Sequence, residues 1–566
     1  MAETGKTVQV NLSAANRGRK AMDDLEAFSK DPERISEELL FRILDDNKDT
    51  EYGRKVGFSG IRTVEDYKKK VPLTVYDDYA EYVVRELTGK EEHLHSVYGV
   101  AQYNRSSGTM GNPKKIPMSS VSMGYLLDYA FAEPYGMAVK RFGTDFLKGK
   151  ALSVAEASAR AVVGTPPKRY YGVSGQCVYD WQMMQPEMFT SPEEAVCPEK
   201  ETDSRYLHAR YGLAYRDVSS LQTTFITFVL DMFHYIQGNW EMLCRDIETG
   251  KIDPSVKMSD TVRAKLESEL VPMPERAEEL RKIFSEGFGN TIAKRIWPNL
   301  TFVMGVSTGT FSAYLRKLRE NFISEDVPVF MTGIVASEGA ISAPYDFDTS
   351  DSAPLGNTMF LEFLPLGEED PSKTCTVSEV ELGKEYEVIL TTQSGLYRYR
   401  TRDAVRFVKM YNSLPTMEYL YRIDMCVNLN GEKTYEPALR AAVDATAKDL
   451  DFDYADFCVY PDTDMTPSCY RFFIECPRRP KANLKELSAC LQKELIKANP
   501  MLEYKFERRL TGPVVSHYLQ DETYALWRDK QIMMGGASTQ IKPVKIIMNE
   551  AQLRFFRILV DREEEE

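Results

Sequence analysis

The chain has 566 residues, of which 43% are hydrophobic and 28% charged, and its formal net charge is −14. Its length exceeds what one hydrophobic core usually supports, so we expect two or three domains, and its acidic balance argues against a nucleic-acid-binding protein because contacts with phosphates need a basic face. It has no apolar run of membrane-spanning length, no secretory signal and no C-x-x-C pair among its nine cysteines, so we expect a cytoplasmic protein with reduced thiols and no membrane partner.

The first hundred residues show helical periodicity. Apolar residues recur at helical spacing around Ala27–Leu44 and Val64–Leu87. We therefore predict that the chain begins with amphipathic helices, each of which packs one face on a core.

The segment Tyr103–Pro117, YNRSSGTMGNPKKIP, is the first candidate functional site. Its glycines allow a tight turn in which several N–H groups point at one anion. The hydroxyls of Ser106, Ser107 and Thr109 add neutral donors, and the two lysines that follow add positive charge. We predict a strand before this loop and a helix after it, an order that places phosphates near a helix N-terminus. On composition alone, a Ser/Gly-rich surface turn explains the segment equally well.

Helices alternate with short apolar strands beyond this loop. We predict a helix over Met123–Val139 and a buried helix over Ser220–Ile236. The predicted strands are Leu300–Val306, Val327–Ala336, Thr358–Pro365 and the two strands of a hairpin within Tyr386–Met410, which turns at Gln393–Gly395. This alternation favours an α/β lobe whose ligand binds at strand ends.

The pattern changes after residue 422. A short strand, a turn and a helix occupy Met425–Val443, and later come a strand over Tyr470–Pro477, a helix with leucines at helical spacing and a last strand over Pro543–Met548. We predict a large N-terminal domain over residues 1–422, a hinge over 423–433 and a compact α+β domain over 434–566, which is a typical domain size.

Three charged residues in later motifs are candidate partners of a nucleotide. Glu338 follows an apolar strand, where a carboxylate beside phosphates would suit Mg²⁺. Asp403, on an alternating Arg/Tyr strand with its cations on one face, could accept hydrogen bonds from ribose hydroxyls, and Lys542 could neutralise charge in a phosphate transition state. The alternatives are a solvated loop acid, a strand whose charges pair with one another and a surface lysine.

The motifs occur in the order SSGTMGNPKKIP, ASEG, YRYRTRDAV, NGEK and STQIKPVK. In this order and spacing they resemble the Gretchen-Hagen-3 (auxin-responsive promoter) family of acyl acid–amido synthetases, which belongs to the adenylate-forming superfamily. The resemblance extends from about Pro72 to about Ile546. It implies the adenylate-forming fold: a large mixed α/β lobe with a β-barrel-like subdomain, and a smaller α+β C-terminal domain.

The resemblance also implies roles for the residues that match the family's motifs. The implied nucleotide-binding residues are Ser106, Ser107, Thr109, Ser337, Tyr397 and Asp403, and the implied Mg²⁺ ligand is Glu338. The implied catalytic residues are Lys542 and Arg422, and Tyr125 and Tyr129 would lie on the helix that lines the acyl-acid pocket.

The function implied by the resemblance is that of an ATP-dependent ligase, which adenylates a small carboxylic acid and transfers the acyl group to an amino acid. A thioester-forming acyl-CoA ligase shares the adenylation half of that reaction. A nucleotide-binding pseudoenzyme is the third reading, since Arg402 stands where the family usually has glycine and Tyr421–Ile423 replaces a glycine-containing hinge run. An arginine would be strained there if the backbone needs a positive φ.

Overall fold

The computed structural model describes residues 2–88, 91–105, 114–157, 161–164, 167–171, 186–199, 201–307, 311–423, 425–429, 432–534 and 541–561. The chain forms two compact units, of which the larger holds residues 1–401 and 405–419 and the smaller holds residues 402–404 and 420–566. The segment predicted as a hinge, 423–433, lies within the smaller unit. None of the helices in the described ranges has the length and apolar character needed to span a bilayer.

Helices begin the first unit, as predicted, but prolines divide both predicted segments. The first is cut between α1 (Ala2–Lys30) and α2 (Pro32–Asn47), because proline has no N–H and fits a helix only in its first turn. The second is cut after α4 (Val64–Lys70), shortly before Pro72, and resumes as α5 (Asp77–Thr88). The unit's other α-helices are α3 (Glu51–Val56), α6 (Ser120–Leu126), α7 (Glu133–Phe142), α8 (Glu193–Val196), α9 (Ser204–Ala214), α10 (Ile226–Thr249), α11 (Asp260–Glu269), α12 (Pro274–Ser285), α13 (Ile292–Ile296) and α14 (Ser312–Asn321).

Two four-stranded sheets follow the first helices. One has the order β2–β1–β5–β4, formed by β1 (Gln102–Arg105), β2 (Lys115–Met118), β4 (Ala161–Val163) and β5 (Lys168–Tyr171). The other is parallel, in the order β3–β6–β7–β8, and is formed by β3 (Lys150–Val154), β6 (Val218–Phe225), β7 (Phe302–Val306) and β8 (Val329–Phe330).

The buried helix predicted over Ser220–Ile236 is wrong in its first part. Residues up to Phe225 belong to β6, and α10 starts only at Ile226. A parallel strand buried on both faces is as continuously apolar as a buried helix, so the apolar pattern does not distinguish them. The β-branched Thr223 and Thr224 favour the strand.

A further sheet has the order β13–β14–β15–β16, formed by β13 (Phe360–Pro365), β14 (Glu385–Thr391), β15 (Tyr399–Tyr411) and β16 (Leu414–Arg422). Small two-stranded pairs precede it: β9 (Val335–Ala336) with β10 (Gly339–Ala340), and β11 (Ser342–Ala343) with β12 (Ala353–Pro354). The predicted strands at Leu300–Val306 and Thr358–Pro365 are thus confirmed as β7 and β13. The strand predicted over Val327–Ala336 is instead divided into β8 and β9.

The second unit has an α+β architecture of its own. Its strands are β17 (Cys426–Val427), β18 (Thr434–Tyr435), β19 (Asp456–Asp462), β20 (Cys469–Glu475) and β21 (Val515–Leu519), with the last three in one sheet in that order. Its helices are α15 (Glu436–Asp449), α16 (Leu484–Ala498), α17 (Met501–Glu507), α18 (Thr523–Met533) and α19 (Glu550–Ile558). Among the described residues, the predicted final strand over Pro543–Met548 contributes a single isolated bridge, between Val459 and Ile546.

Each unit has its own hydrophobic core. Phe457, Phe472 and Leu487 are fully buried in the core of the second unit, where α15 and α16 cover the sheet of β19, β20 and β21. The mixed α/β architecture, with a large N-terminal part and a smaller C-terminal one, confirms the predicted fold class.

Candidate active site

The predicted phosphate loop joins two paired strands. β1 and β2 are antiparallel with Arg105 opposite Lys115, so the chain between these residues leaves and re-enters one end of the ladder. Ser106, Ser107 and Thr109 lie outside the described residues. The predicted order of strand, loop and helix is wrong in one respect, because β2 intervenes before α6 begins at Ser120.

The lysines after the loop have aromatic neighbours. The Lys114 ammonium lies 5.9 Å from the centre of the Tyr76 ring, and that of Lys115 lies 5.9 Å from the centre of the Tyr170 ring. The Lys115 N–H also donates to the Tyr76 hydroxyl at 3.1 Å. These contacts hold positive charge at the end of the ladder from which the loop emerges.

Ser337 and Glu338 form the two-residue turn between β9 and β10. The Asn104 side-chain amide donates to the Ser337 carbonyl at 2.9 Å, and the Ser337 hydroxyl donates to the Arg105 carbonyl at 3.2 Å. Since Arg105 directly precedes Ser106, the structure brings the first two motifs together. The sequence argument missed Asn104, whose full burial beside the loop only the structure shows.

The described residues contain no group of three or more His, Cys, Asp or Glu side chains that could hold a metal ion. Glu338 is half-buried and carries the carboxylate of this turn, a group of the hard oxygen type that Mg²⁺ prefers. Mg²⁺ usually keeps only one or two protein carboxylates and takes its other ligands from phosphates and water. One carboxylate is compatible with a Mg²⁺ ion that arrives with a nucleotide.

Tyr397, which the resemblance implies to be a nucleotide-binding residue, lies in the core of the first unit. Its side chain is fully buried, its ring stacks on Tyr52 at 5.0 Å between centres and its hydroxyl donates to the His95 carbonyl at 2.8 Å. Because the Tyr397 ring is fully buried and its hydroxyl already donates a hydrogen bond, this side chain presents no accessible surface to a ligand. The side chain instead fixes the chain between the Gln393–Gly395 turn and β15.

The arginines around Tyr397 do not present a cationic face either. Arg398 is fully buried, and its Nε donates to the buried Glu362 carboxylate at 3.1 Å. Arg400 lies 2.6 Å from the buried carboxylate of Glu387. These two arginines therefore pair with carboxylates of neighbouring strands, Glu362 on β13 and Glu387 on β14, and not with charges of their own strand as the alternative reading expected.

Tyr125 and Tyr129 lie on one continuous helical stretch but differ in exposure. Tyr125 is half-buried on α6, whereas Tyr129 is buried in a π-helical turn, Leu127–Ala132, that leads into α7. The Tyr129 hydroxyl accepts a hydrogen bond from the Asn357 amide at 2.9 Å, and burial raises the pKa of Tyr129 above its usual value. Such π-helical turns are frequent at functional sites.

Asp403 and Arg422 form an ion pair within the second unit. Arg422 Nη1 lies 3.4 Å from Asp403 Oδ1, and Asp403 is only 8% exposed. The Ile423 N–H donates to the Arg402 carbonyl at 2.8 Å, which ties the residue before Asp403 to the residue after Arg422. Arg402 has φ +63°. The backbone therefore has the positive φ at which the sequence analysis expected an arginine to be strained.

Lys542 interacts electrostatically with this pair. Its side chain is exposed overall, yet protein atoms crowd its ammonium group. Desolvation lowers the pKa of Lys542 below its usual value and Arg422 lowers it further, whereas Asp403 and Glu436 raise it. The second unit thus groups two carboxylates, a guanidinium and an ammonium, a set that can hold an anionic ligand and balance its charge. The sequence argument did not single out Glu436, the first residue of α15.

Comparison with known protein families gives three matches along the chain. The GH3 family N-terminal domain matches residues 21–329, the GH3 family central domain matches residues 352–422 and the GH3 family C-terminal domain matches residues 438–551. These matches cover most of the sequence in the family's order of domains.

Curated relatives match over nearly their full length. A jasmonoyl–L-amino acid synthetase, GH3.5 of Oryza sativa subsp. japonica, is 27% identical over 95% of this chain and 96% of the relative. The indole-3-acetic acid-amido synthetase GH3.4 of Arabidopsis thaliana is 25% identical over 92% of this chain and 90% of the relative. Both are named for joining an acid to an amino acid or forming an amide.

A solved structure has the same fold. The acyl acid amido synthetase AtGH3.15, determined in complex with 2,4-DB, superposes with a TM-score of 0.82 at 23% identity and covers 97% of both chains. The ordered motifs, the two-unit fold and the three domain matches together show that this chain belongs to the GH3 family.

Proposed function

We propose that this protein is an ATP-dependent ligase that joins a small carboxylic acid to an amino acid through an acyl-adenylate. The observation that carries the proposal is the grouping of Lys542 with Asp403 and Arg422, in a chain that matches amido synthetases over nearly its whole length. ATP and free amino acids are both cytoplasmic metabolites, so we place the activity in the cytoplasm.

The chemistry needs ATP because hydroxide or oxide is a poor leaving group from a carboxylate. In the first half-reaction a substrate carboxylate oxygen attacks the α-phosphorus, and the bond to the pyrophosphate oxygen breaks. In the second, the amine attacks the acyl carbon, AMP leaves with the electron pair of the broken C–O bond and the amine loses a proton. The protein chiefly has to position these groups and balance their charge.

The motif residues of each unit would have a part in this reaction. Ser106, Ser107 and Thr109 would contact the α-phosphate, and the contact between Ser337 and Arg105 would keep that loop beside the Ser337–Glu338 turn. Mg²⁺ bound to ATP would meet the Glu338 carboxylate and offset phosphate charge.

In the second unit, Asp403 would accept hydrogen bonds from the ribose hydroxyls. Arg422 would orient the Asp403 carboxylate through their 3.4 Å contact. Lys542 would stabilise the negative charge that develops as the carboxylate attacks the α-phosphorus. Half-buried Tyr125, rather than buried Tyr129, is the better candidate for direct contact with an acyl group.

The test is exchange of labelled pyrophosphate into ATP in the presence of a panel of aliphatic and aromatic carboxylic acids. Acid-dependent exchange is expected, and mass analysis after addition of amino acids or coenzyme A should show an amide rather than a thioester. A thioester product would assign the acyl-CoA ligase function instead. Exchange at background for every acid would favour the pseudoenzyme reading, which the positive φ of Arg402 motivates.

Lys542→Ala should slow acid-dependent exchange by about 100-fold or more, because one charged donor to the transition state is lost, while the Kd for ATP changes by less than about threefold. Lys493→Ala is the matched control, since Lys493 is a surface lysine of the same unit, paired with Asp449 and Glu494. Equal loss of exchange and ATP binding in Lys542→Ala would contradict the assigned role.

A further inference from the structure

The segment that carries Lys542 is fastened to the sheet of the second unit. The Val459 N–H donates to the Lys545 carbonyl at 2.9 Å, and the Ile547 N–H donates to the Val459 carbonyl at 2.8 Å. Ile546 and Ile547 are each 1% exposed. The backbone is therefore held along β19 from Lys545 onward, and Lys542 lies three residues before the first of these bonds.

A buried ion pair fixes the same point. Lys545 is 2% exposed, and its ammonium pairs with the carboxylate of Asp456, the first residue of β19. Burial of two charges is expensive, and loss of either partner leaves the other desolvated and unpaired. A pair of this kind selects one arrangement of the segment over others.

The pair is linked to the start of α15 through an aromatic ring. The ammonium of Lys545 lies 5.0 Å from the centre of the Phe457 ring, and the guanidinium of Arg440 lies 5.7 Å from the same centre. Arg440 Nη2 in turn donates to Glu436 Oε1 at 2.9 Å. Glu436 is one of the carboxylates that raise the pKa of Lys542. A chain of contacts therefore runs from the Lys545–Asp456 pair, the anchor of this segment, back to the charges around Lys542.

The link between the anchor and Lys542 is stiff. Pro543 has its φ fixed by the ring, and it restricts the preceding Lys542 to extended backbone conformations. Three extended residues span about 10 Å, so a small rotation at Lys545 moves the Lys542 side chain by a distance that matters to catalysis.

We propose that Lys545 and Asp456 are positioning residues, which hold the Lys542 segment against β19 and so aim Lys542 at the reacting phosphate. The effect on catalysis rests on the function proposed above. The anchoring itself does not, because it concerns backbone contacts of this chain alone.

The experiment compares Lys545→Met with Arg471→Met. Arg471 pairs with Asp462, the last residue of β19, at 2.7 Å, so the control breaks a partly buried ion pair at the other end of the same strand. Hydrogen–deuterium exchange is measured on both purified full-length variants. In Lys545→Met the amides of Val459 and Ile547 should exchange at least about tenfold faster than in wild type, and in Arg471→Met they should not.

Pyrophosphate exchange and acyl transfer from a preformed adenylate are measured on the same samples, per folded molecule. Lys545→Met should lower kcat for pyrophosphate exchange by about tenfold or more with KM for ATP nearly unchanged, and should leave acyl transfer close to wild type. Asp456→Asn should behave like Lys545→Met, and Lys545→Arg should recover part of the loss.

Unchanged amide exchange at Val459 and Ile547 in Lys545→Met would overturn the proposal. So would equal loss of pyrophosphate exchange in Lys545→Met and Arg471→Met, since that would reflect general destabilisation. A wild-type protein without pyrophosphate exchange would refute the proposed function, and amide exchange would then still decide the anchoring.

Discussion

Arg402 combines a long side chain with a backbone conformation that favours glycine. Its φ of +63° lies in the left-handed region, where a side chain other than glycine costs about 1–3 kcal/mol. Arg402→Gly should therefore raise the free energy of unfolding by about 1 kcal/mol, after allowance for the greater freedom of glycine in the unfolded chain. Urea unfolding monitored by circular dichroism measures the change.

Two control variants separate the backbone from the side chain. Arg402→Ala removes the guanidinium but keeps the strain, so it should not stabilise the protein. Arg400→Gly should destabilise it, because the buried Glu387 carboxylate loses a partner at 2.6 Å. Stabilisation by Arg402→Ala equal to that by Arg402→Gly would show that the side chain, not the backbone, carries the strain.

At the scale of elements, Arg398 joins separate parts of the first unit. Its guanidinium donates to the Glu362 carboxylate on β13, to the Lys68 carbonyl on α4 at 2.7 Å and to the Pro371 carbonyl at 2.7 Å. Arg398→Met should lower the free energy of unfolding by about 3–5 kcal/mol, because Glu362 is left buried without its cation. Thermal and urea unfolding check this value.

The double variant Arg398→Met with Glu362→Gln is the control for that mechanism. It removes the buried charge as well as its partner, so it should recover a large part of the lost stability, in the manner of a double-mutant cycle. Additive losses from the two substitutions would contradict a role for the uncompensated charge.

The boundaries of elements followed local rules only in part. Prolines break the helices before Pro32 and near Pro72, although the predicted segments ran across both, and Asn483 and Glu486 form a capping box at the start of α16. The strand–helix junction at Phe225 was mispredicted, because burial on both faces removes the periodicity that distinguishes the two states. Pairing across the sheet, not the local sequence, decides such a segment.

At the scale of the whole molecule, Glu133 makes stability depend on pH. It is fully buried, neither carboxyl oxygen has a hydrogen-bond partner among the described residues, and burial raises the pKa of Glu133 well above its usual value. A raised folded-state pKa means that its contribution to stability is complete below the unfolded pKa and declines as the pH rises toward the folded value.

Glu133→Gln should therefore stabilise the protein relative to wild type, by an amount that grows between pH 4.5 and pH 8 and reaches the order of 1 kcal/mol or more. Glu86→Gln is the contrasting control. Burial disfavours the charged form of Glu86, but the nearby His95 lowers the pKa of Glu86 overall. Relative to wild type, Glu86→Gln should therefore become less stable as the pH rises toward and above the unfolded-state pKa of a glutamate. Parallel pH profiles for Glu133→Gln and wild type would contradict the assignment.

The sequence by itself determined the family, the two-part α/β architecture and the order of the motifs, because these depend on local residue types and on spacing along the chain. The tertiary structure decided which motif residues meet. It placed Ser337 against Arg105 and grouped Asp403, Arg422 and Lys542, whereas Tyr397 and Arg398, equally prominent in the motif, are in the core. Local sequence carries composition and periodicity. Burial and the choice of partner arise only when residues hundreds of positions apart pack together. Burial and partner then decide whether a tyrosine or an arginine binds a ligand or supports the fold.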